Sequence, residues 1–106
     1  MLNKENIDLC WKVLSKYGVS NQRDKVIEEC AELIDAVCHL RKAEESNVFD
    51  MKLLEHFHDE IVDVIVVCEQ MLLVERLTDK LDDMAKFKLE RALNGDDRKY
   101  REGVTK

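Results

Sequence analysis

The sequence predicts an all-α protein, and three observations carry that prediction. The chain of 106 residues contains no proline and only three glycines, the residues that interrupt helices and shape hairpin turns. Residues that favour helices, such as Leu, Glu and Lys, are abundant, whereas aromatic residues make up only 6%. Apolar residues also recur at helical spacing. Because a chain of this length forms at most one domain, residues 1–106 are expected to make a single domain with a modest core.

Capping residues predict the first two helices. The first helix is expected over residues 4–17 and ends at Gly18, since glycine commonly follows a helix end. Ser20 or Asn21 is expected to cap the second helix, which continues to a polar turn at residues 44–48. Because that turn is short, the second and third helices are expected to form an antiparallel hairpin.

Similar signals predict the third and fourth helices. Asp50 is the expected N-cap of the third helix, and Phe49 before it is the expected hydrophobic staple. This helix is expected to reach Leu77. Thr78 or Asp79 is then expected to cap the fourth helix, which ends at the following Asn-Gly pair.

Composition and charge exclude several classes of protein. Hydrophobic residues make up 45% of the chain, too large a share for a disordered protein. The net charge of −6 argues against a nucleic-acid-binding surface over the whole protein, although seven basic and four acidic residues from residue 86 onward give that end +3. No segment reaches the roughly 18 apolar residues of a membrane span, and the first residues do not resemble a signal peptide. We expect a cytoplasmic protein that binds neither nucleic acid nor membranes, with a flexible tail at residues 96–106.

The four cysteines do not form a C-x-x-C pair, so a zinc finger has little support. Cys10, Cys30 and Cys68 fall on apolar helical stripes, and Cys38 lies near the edge of one. We therefore expect free, buried cysteines in a reducing compartment.

Acidic residues interrupt the apolar stripe of the second helix. At about 100° per residue, Glu29 falls inside the apolar arc, and Glu32 lies roughly 60° away at its border. Glu28 and Asp35 fall on the solvent side. The arc itself consists of Val26, Ile27, Cys30, Leu33, Ile34, Val37 and Leu40.

The third helix repeats this arrangement. Glu60 lies inside the apolar arc, and Asp63 lies roughly 60° away at its border. Each helix thus carries two acids at i and i+3, stacked on one face. The arc consists of Phe57, Ile61, Val64, Ile65, Cys68, Met71 and Leu72.

Four carboxylates that converge between two helices need compensation, because burying even one unpaired carboxylate is strongly unfavourable. No basic residue on either helix is spaced to neutralise all four. A divalent cation is the simplest compensation, and ligands that are all oxygen favour Mg²⁺ or Mn²⁺. The alternative is structural, since a single acidic pair at i and i+3 is common on solvated helix faces.

The acidic pattern resembles the signature of the MazG-like all-α nucleoside triphosphate pyrophosphatases, which is E-E-x-x-E, a variable spacer and E-x-x-D. It stands here as Glu28-Glu29-Cys30-Ala31-Glu32, twenty-seven further residues, and Glu60-Ile61-Val62-Asp63. The context K-x-x-E-E-x-x-E-L at residues 25–33 and the basic K-x-x-x-x-R stretch at residues 86–91 are also similar to the family. The resemblance covers about residues 20–95.

The resemblance implies a four-helix bundle completed by oligomerisation, and a reaction. A nucleoside triphosphate, often a deoxynucleotide, is hydrolysed between its α and β phosphates to the monophosphate and pyrophosphate, as expected of an enzyme that cleans the nucleotide pool. It also implies Mg²⁺, or Mn²⁺, held by Glu29, Glu32, Glu60 and Asp63, with Glu28 as an outer ligand or partner. Glu29 or Glu32 is the expected general base.

Basic and aromatic residues are the candidates for substrate contacts. Lys86 and Arg91 are the best candidates for binding phosphate, and Trp11 for stacking on the base. The alternatives are solubilising charges and a core tryptophan. Weaker phosphate candidates are Lys25, Lys88, Arg98 and Lys99.

The resemblance further implies homo-oligomers, since single-domain members form dimers, or tetramers built as dimers of dimers. The third helix fits this, because Val62, Val66 and Leu73 add a second apolar stripe that is free to face a partner.

Two other functions compete with the enzyme. A carboxylate-bridged di-iron bundle needs Glu-x-x-His on two helices. Glu55 and His58 supply one such motif, but His39 has Ala36 in the position where the second glutamate would stand. A non-catalytic helical interaction module, in which acids and apolar stripes serve only assembly, is the other alternative.

Overall fold

The computed structural model describes residues 2–95 and contains four α-helices in this part of the chain. They are α1 (Lys4–Tyr17), α2 (Val19–Glu45), α3 (Met51–Val74) and α4 (Leu81–Leu93), with a 3₁₀ turn at Thr78–Lys80 before α4. The described residues contain no strand, so the predicted all-α class is confirmed. None of these helices has the length and apolar character needed to cross a membrane. The tail predicted to be flexible, residues 96–106, lies outside the described residues.

The described residues belong to two compact units, one within Met1–Glu75 and one within Arg76–Lys106. In the first unit, α2 and α3 share the most extensive contact and α1 packs against both. Only residues 46–50 connect α2 to α3, so these helices form the predicted antiparallel hairpin. In the second unit, α4 packs against the 3₁₀ turn. The expectation of a single domain stays a prediction.

A single glycine separates α1 from α2. Gly18 has a φ of +88°, its N–H donates to the Leu14 carbonyl at 2.9 Å, and its carbonyl accepts from the Gln22 N–H at 3.1 Å. Glycine adopts this left-handed conformation without steric penalty. Because Gly18 both closes α1 and opens α2, the cap predicted at Ser20 or Asn21 is wrong, and both residues lie in the first turn of α2.

The N-terminus of α3 is held by Asp50, as predicted. Its carboxylate accepts from the backbone N–H groups of Lys52 at 2.9 Å and Leu53 at 3.4 Å. The hydrophobic staple predicted at Phe49 is wrong, because that side chain is 75% exposed. The cap therefore acts through hydrogen bonds and without an apolar contact from Phe49.

The helix boundaries after α3 differ from the prediction. α3 ends at Val74, three residues early, because Arg76 adopts a left-handed φ of +58° that a helix does not continue through. Thr78 and Asp79 belong to the 3₁₀ turn, and α4 begins after it without a side-chain cap, so the caps predicted there are wrong. The predicted end of α4 is confirmed, with Asn94 as its C-cap.

The core of the described residues is small and partly polar. Several residues of the predicted apolar arcs are exposed instead, among them Ile27 (73%), Ile34 (64%) and Ile65 (47%). The reason is that the three helices of the first unit cover only one side of each long helix, while the predicted arcs are wider than that side. The buried residues are Cys10, Leu14, Ala36 and Val67 together with the polar Gln22, Glu60, Glu69 and Gln70.

The cysteines are free, as predicted, but only partly buried. Cys10 is buried and Cys30 is half-buried, whereas Cys38 and Cys68 are exposed. The predicted burial of Cys68 is therefore wrong. As for the exposed isoleucines, the reason is that the predicted apolar arc is wider than the side of the helix that its neighbours cover.

Replacing Asp50 by alanine should destabilise the fold, because it removes both hydrogen bonds of the α3 N-cap. Loss of an N-cap typically lowers the free energy of unfolding by about 1 kcal/mol. Urea denaturation followed by circular dichroism measures the change. The matched control is Asp50→Asn, which keeps an acceptor oxygen, and an equal loss in that variant would contradict the role assigned to the cap.

Candidate metal centre

Four carboxylates meet between α2 and α3, as the helical spacing predicted. Glu29 and Glu32 come from α2, and Glu60 and Asp63 come from α3. One carboxylate oxygen from each of the four side chains lies within 4.8 Å of the oxygens from the other three. Among the described residues, this group contains no histidine or cysteine. Such a cluster of carboxylate oxygens could hold a metal ion.

The antiparallel hairpin explains why these four residues meet. Glu32 and Glu60 both lie fourteen residues from Ser46 in the connection, and Glu29 and Asp63 both lie seventeen residues from it. Glu32 therefore lies three residues nearer the connection than Glu29 on α2, just as Glu60 lies three residues nearer it than Asp63 on α3. Each pair at i and i+3 occupies one face of its helix, so the hairpin register brings the two faces together.

Burial divides the cluster into an inner and an outer pair, as predicted. Glu60 is only 7% exposed and Glu29 is half-buried, whereas Glu32 and Asp63 are exposed. The Oε2 atoms of Glu29 and Glu60 are buried and have no hydrogen-bond partner. A buried carboxylate oxygen without a partner is strongly unfavourable, so these two atoms are the ones that could gain most from a metal ion held in the cluster.

The cluster carries more negative charge than its surroundings offset. Burial raises the pKa of Glu29, and repulsion from Glu32 and Asp63 raises it further. Burial and the same two neighbours raise the pKa of Glu60, against the opposing effect of His56. Both carboxyl groups therefore resist ionisation in the folded chain, and a bound cation would remove that resistance.

His56 is a neighbour of the site that sequence reasoning missed. Its Nδ1 lies 3.7 Å from Glu60 Oε1, one helical turn away, and its side chain is half exposed. The i, i+4 spacing between the two residues is visible in the sequence and could have identified it. The di-iron alternative gains no support, because the cluster itself contains carboxylates only.

Glu28 and Lys25 lie on the side of α2 beside the cluster. Glu28 is exposed, as predicted, and its Oε1 lies 3.3 Å from Lys25 Nζ. It does not join the four-carboxylate group, and its role as an outer ligand stays a prediction. Lys25 lines a cavity of about 250 Å³ together with Glu29 and Asp63, which places a basic residue close to the carboxylates.

Three further substrate candidates lie on α4, in the second unit. Lys86 and Lys88 are exposed on α4, and the Arg91 guanidinium lies 5.7 Å from the Phe87 ring centroid. Their predicted phosphate contacts stay predictions. Two of the weaker candidates, Arg98 and Lys99, lie outside the described residues.

Trp11 projects from α1 and is 46% exposed. Trp11 is therefore not part of the core of the single chain. Its predicted stacking on a base stays a prediction.

Two buried glutamines were also missed. Gln22 and Gln70 line the same cavity as Glu29 and Asp63. Gln22 lies seven residues before Glu29, and Gln70 lies seven residues after Asp63, so the heptad spacing to the acids could have identified both.

Comparisons of this chain with protein-family models, with characterised proteins and with solved structures give no match.

The raised pKa values of Glu29 and Glu60 determine how stability should depend on pH without metal. Both groups titrate at lower pH in the unfolded chain, so their contribution to stability is fully present below the unfolded pKa. It is lost as the pH rises through the raised pKa values of the folded state. In EDTA, Tm should therefore fall as the pH is raised from acidic to neutral values.

The variant Glu60→Gln isolates this effect, since glutamine keeps the size of the side chain but carries no charge. In EDTA its Tm should exceed that of the wild type at neutral pH and change less with pH. Glu55→Gln, at an exposed acid on the same helix, is the control and should keep the slope of the wild type. An unchanged slope in Glu60→Gln would show that the cluster is not strained by charge.

Proposed function

We propose that this chain is a Mg²⁺-dependent nucleoside triphosphate pyrophosphohydrolase. The observation that carries the proposal is the pair of buried Oε2 atoms of Glu29 and Glu60, which lack partners inside a cluster of four carboxylates. The resemblance of the acidic signature to the MazG-like pyrophosphatases supplies the reaction. The chain would hydrolyse a nucleoside triphosphate to its monophosphate and pyrophosphate.

The donor set fits a hard divalent cation. Glu29 and Glu60 would be the inner ligands, because each has a buried oxygen with no partner. Glu32 and Asp63, which are more exposed, would complete the coordination from the rim. Bound Mg²⁺ would neutralise the charge of the triphosphate and make a bound water more acidic.

The chain's own residues would position the substrate and move a proton. In the proposed reaction a water oxygen bonds to the α phosphorus, the bond from that phosphorus to the bridging oxygen breaks, and pyrophosphate leaves. Glu29 or Glu32 would accept the water proton, since both carboxylates belong to the cluster where that water would be held. Lys25 lines the cavity beside Glu29 and would bind a phosphate oxygen.

We further propose that the chain acts as a homodimer or as a tetramer built from two dimers. The support is the apolar surface that α2 and α3 leave exposed, including Ile27, Ile34, Val62 and Ile65. Isolated exposed apolar residues are ordinary, but several along one helix hairpin with a small core indicate a protein interface. Packing of a second copy on this surface would complete the helical bundle.

The same exposed apolar surface favours one alternative, a helical interaction module without catalytic activity. The two proposals differ in their response to metal. An enzyme of the proposed kind should be stabilised by Mg²⁺, since a ligand that binds only the folded state raises its stability. An interaction module has no reason to respond.

Activity tests the proposed reaction most simply. Wild-type protein should release pyrophosphate from nucleoside triphosphates in the presence of Mg²⁺, and Glu60→Gln should lower kcat/KM by about 100-fold or more. Metal ions supply several kcal/mol to such a reaction, and each 1.4 kcal/mol is a factor of about ten. Glu55→Gln is the control and should keep full activity. Full activity in Glu60→Gln with unchanged helical content would contradict the proposal.

Thermal stability tests the metal site without activity. Millimolar Mg²⁺ should raise Tm of the wild type, and a concentration 100 times Kd corresponds to about 2.7 kcal/mol. Glu60→Gln should lose most of this increase, whereas Glu55→Gln should retain it. A wild-type Tm that does not respond to either Mg²⁺ or Mn²⁺ would favour the interaction module.

A further inference from the structure

A second group of buried polar atoms lies beside the carboxylates. Gln70 is only 2% exposed, and its Oε1 is buried without a hydrogen-bond partner. Gln22, on the opposite helix, is also buried. An amide oxygen that is buried without a partner lowers stability, so Gln70 needs a donor that the described chain does not provide.

Gln70 lies in the wall of two cavities that share Val13 and Val66. One, of about 250 Å³, also contains Glu29 and Asp63 in its wall. The other, of about 340 Å³, is lined mainly by apolar side chains of α1 and α3. A ligand that occupies both cavities would reach from the carboxylates, past the amide of Gln70, to an apolar surface.

The hairpin register fixes how far Gln70 lies from the carboxylates. Gln70 follows Asp63 by seven residues on α3, and Gln22 precedes Glu29 by seven residues on α2. Because the helices are antiparallel, both glutamines lie toward the same end of the hairpin, about 10 Å along the helices from this pair of acids at 1.5 Å per residue. This separation is comparable with that between the phosphates and the base within one nucleotide.

We propose that Gln70 recognises the base of the nucleotide, with Gln22 as its partner on the opposite helix. This inference rests on the proposed function, because it assumes that the phosphates lie at the carboxylates. A glutamine amide combines an acceptor oxygen with a donor nitrogen, which matches the adjacent donor and acceptor groups on the edge of a nucleobase. Val13 and Val66 would cover the faces of the base, as apolar walls do in most small-molecule sites.

Two substitutions at Gln70 test this role through base preference. The measurement is kcat/KM of the wild type and each variant for the four common deoxynucleoside triphosphates. Gln70→Met removes both hydrogen bonds at similar size and should reduce discrimination between bases by roughly 3- to 10-fold, mainly through KM. Gln70→Glu presents two acceptors and should shift preference toward guanine, whose edge carries adjacent N–H donors.

Binding of deoxynucleosides in EDTA gives a second measurement that requires neither metal nor phosphate. The Kd values obtained from chemical shift changes in NMR titrations should differ between the bases in the wild type. In Gln70→Met these differences should be lost. Glu55→Gln should bind deoxynucleosides as the wild type does, because Glu55 is exposed and is absent from the walls of both cavities. Circular dichroism confirms that each variant is folded.

The outcomes separate this inference from the proposed function. If the wild type releases pyrophosphate but discrimination between bases is absent, or is unchanged in both Gln70 variants, the role of Gln70 is refuted. If the wild type releases no pyrophosphate from any nucleotide, the proposed function is refuted. In that case base-dependent nucleoside binding that Gln70→Met abolishes would still support a base site, and its absence would overturn it.

Discussion

The register of the α2–α3 hairpin forces four carboxylates together between the two helices. Apolar packing along the hairpin holds Glu29 and Glu60 against each other although burial and neighbouring charge raise the pKa of both. The cluster therefore lowers the free energy of unfolding of the metal-free chain, and a bound metal ion would raise it. Because the four carboxylates stand on two packed helices, their positions are fixed without a metal, which would favour a defined coordination geometry if an ion binds.

The cluster was predictable because it depends on helical geometry alone. Position on a helix fixes the angle of a side chain, so Glu29 and Glu60 could be placed within apolar arcs from the sequence. A short connection fixes the hairpin register, and it puts Glu32 and Glu60 at equal distances from the turn. The Asp50 cap was predictable for a similar reason, since its hydrogen bonds reach only two and three residues along the chain.

Other features depend on contacts that the sequence does not fix. The start of α2 could not be read from Ser20, because Gly18 closes one helix and opens the next within a single residue. Ile27 is exposed because too few helices pack against α2 to cover it, and the spacing of apolar residues along one helix does not show how many other helices pack on it. Gln70 lies seven residues after Asp63, which the sequence shows, but its burial and its unpartnered oxygen follow from tertiary packing that the sequence does not show.

Anomalous diffraction from crystals grown with Mn²⁺ can establish whether the four carboxylates form a metal site. Mn²⁺ prefers the same oxygen ligands as Mg²⁺, and it scatters X-rays anomalously. We expect an anomalous peak between α2 and α3 from an ion coordinated by carboxylate oxygens of Glu29 and Glu60, and no such peak in Glu60→Gln crystals, as a metal site at the cluster requires. Wild-type crystals with no peak at this position, in saturating Mn²⁺, would contradict it.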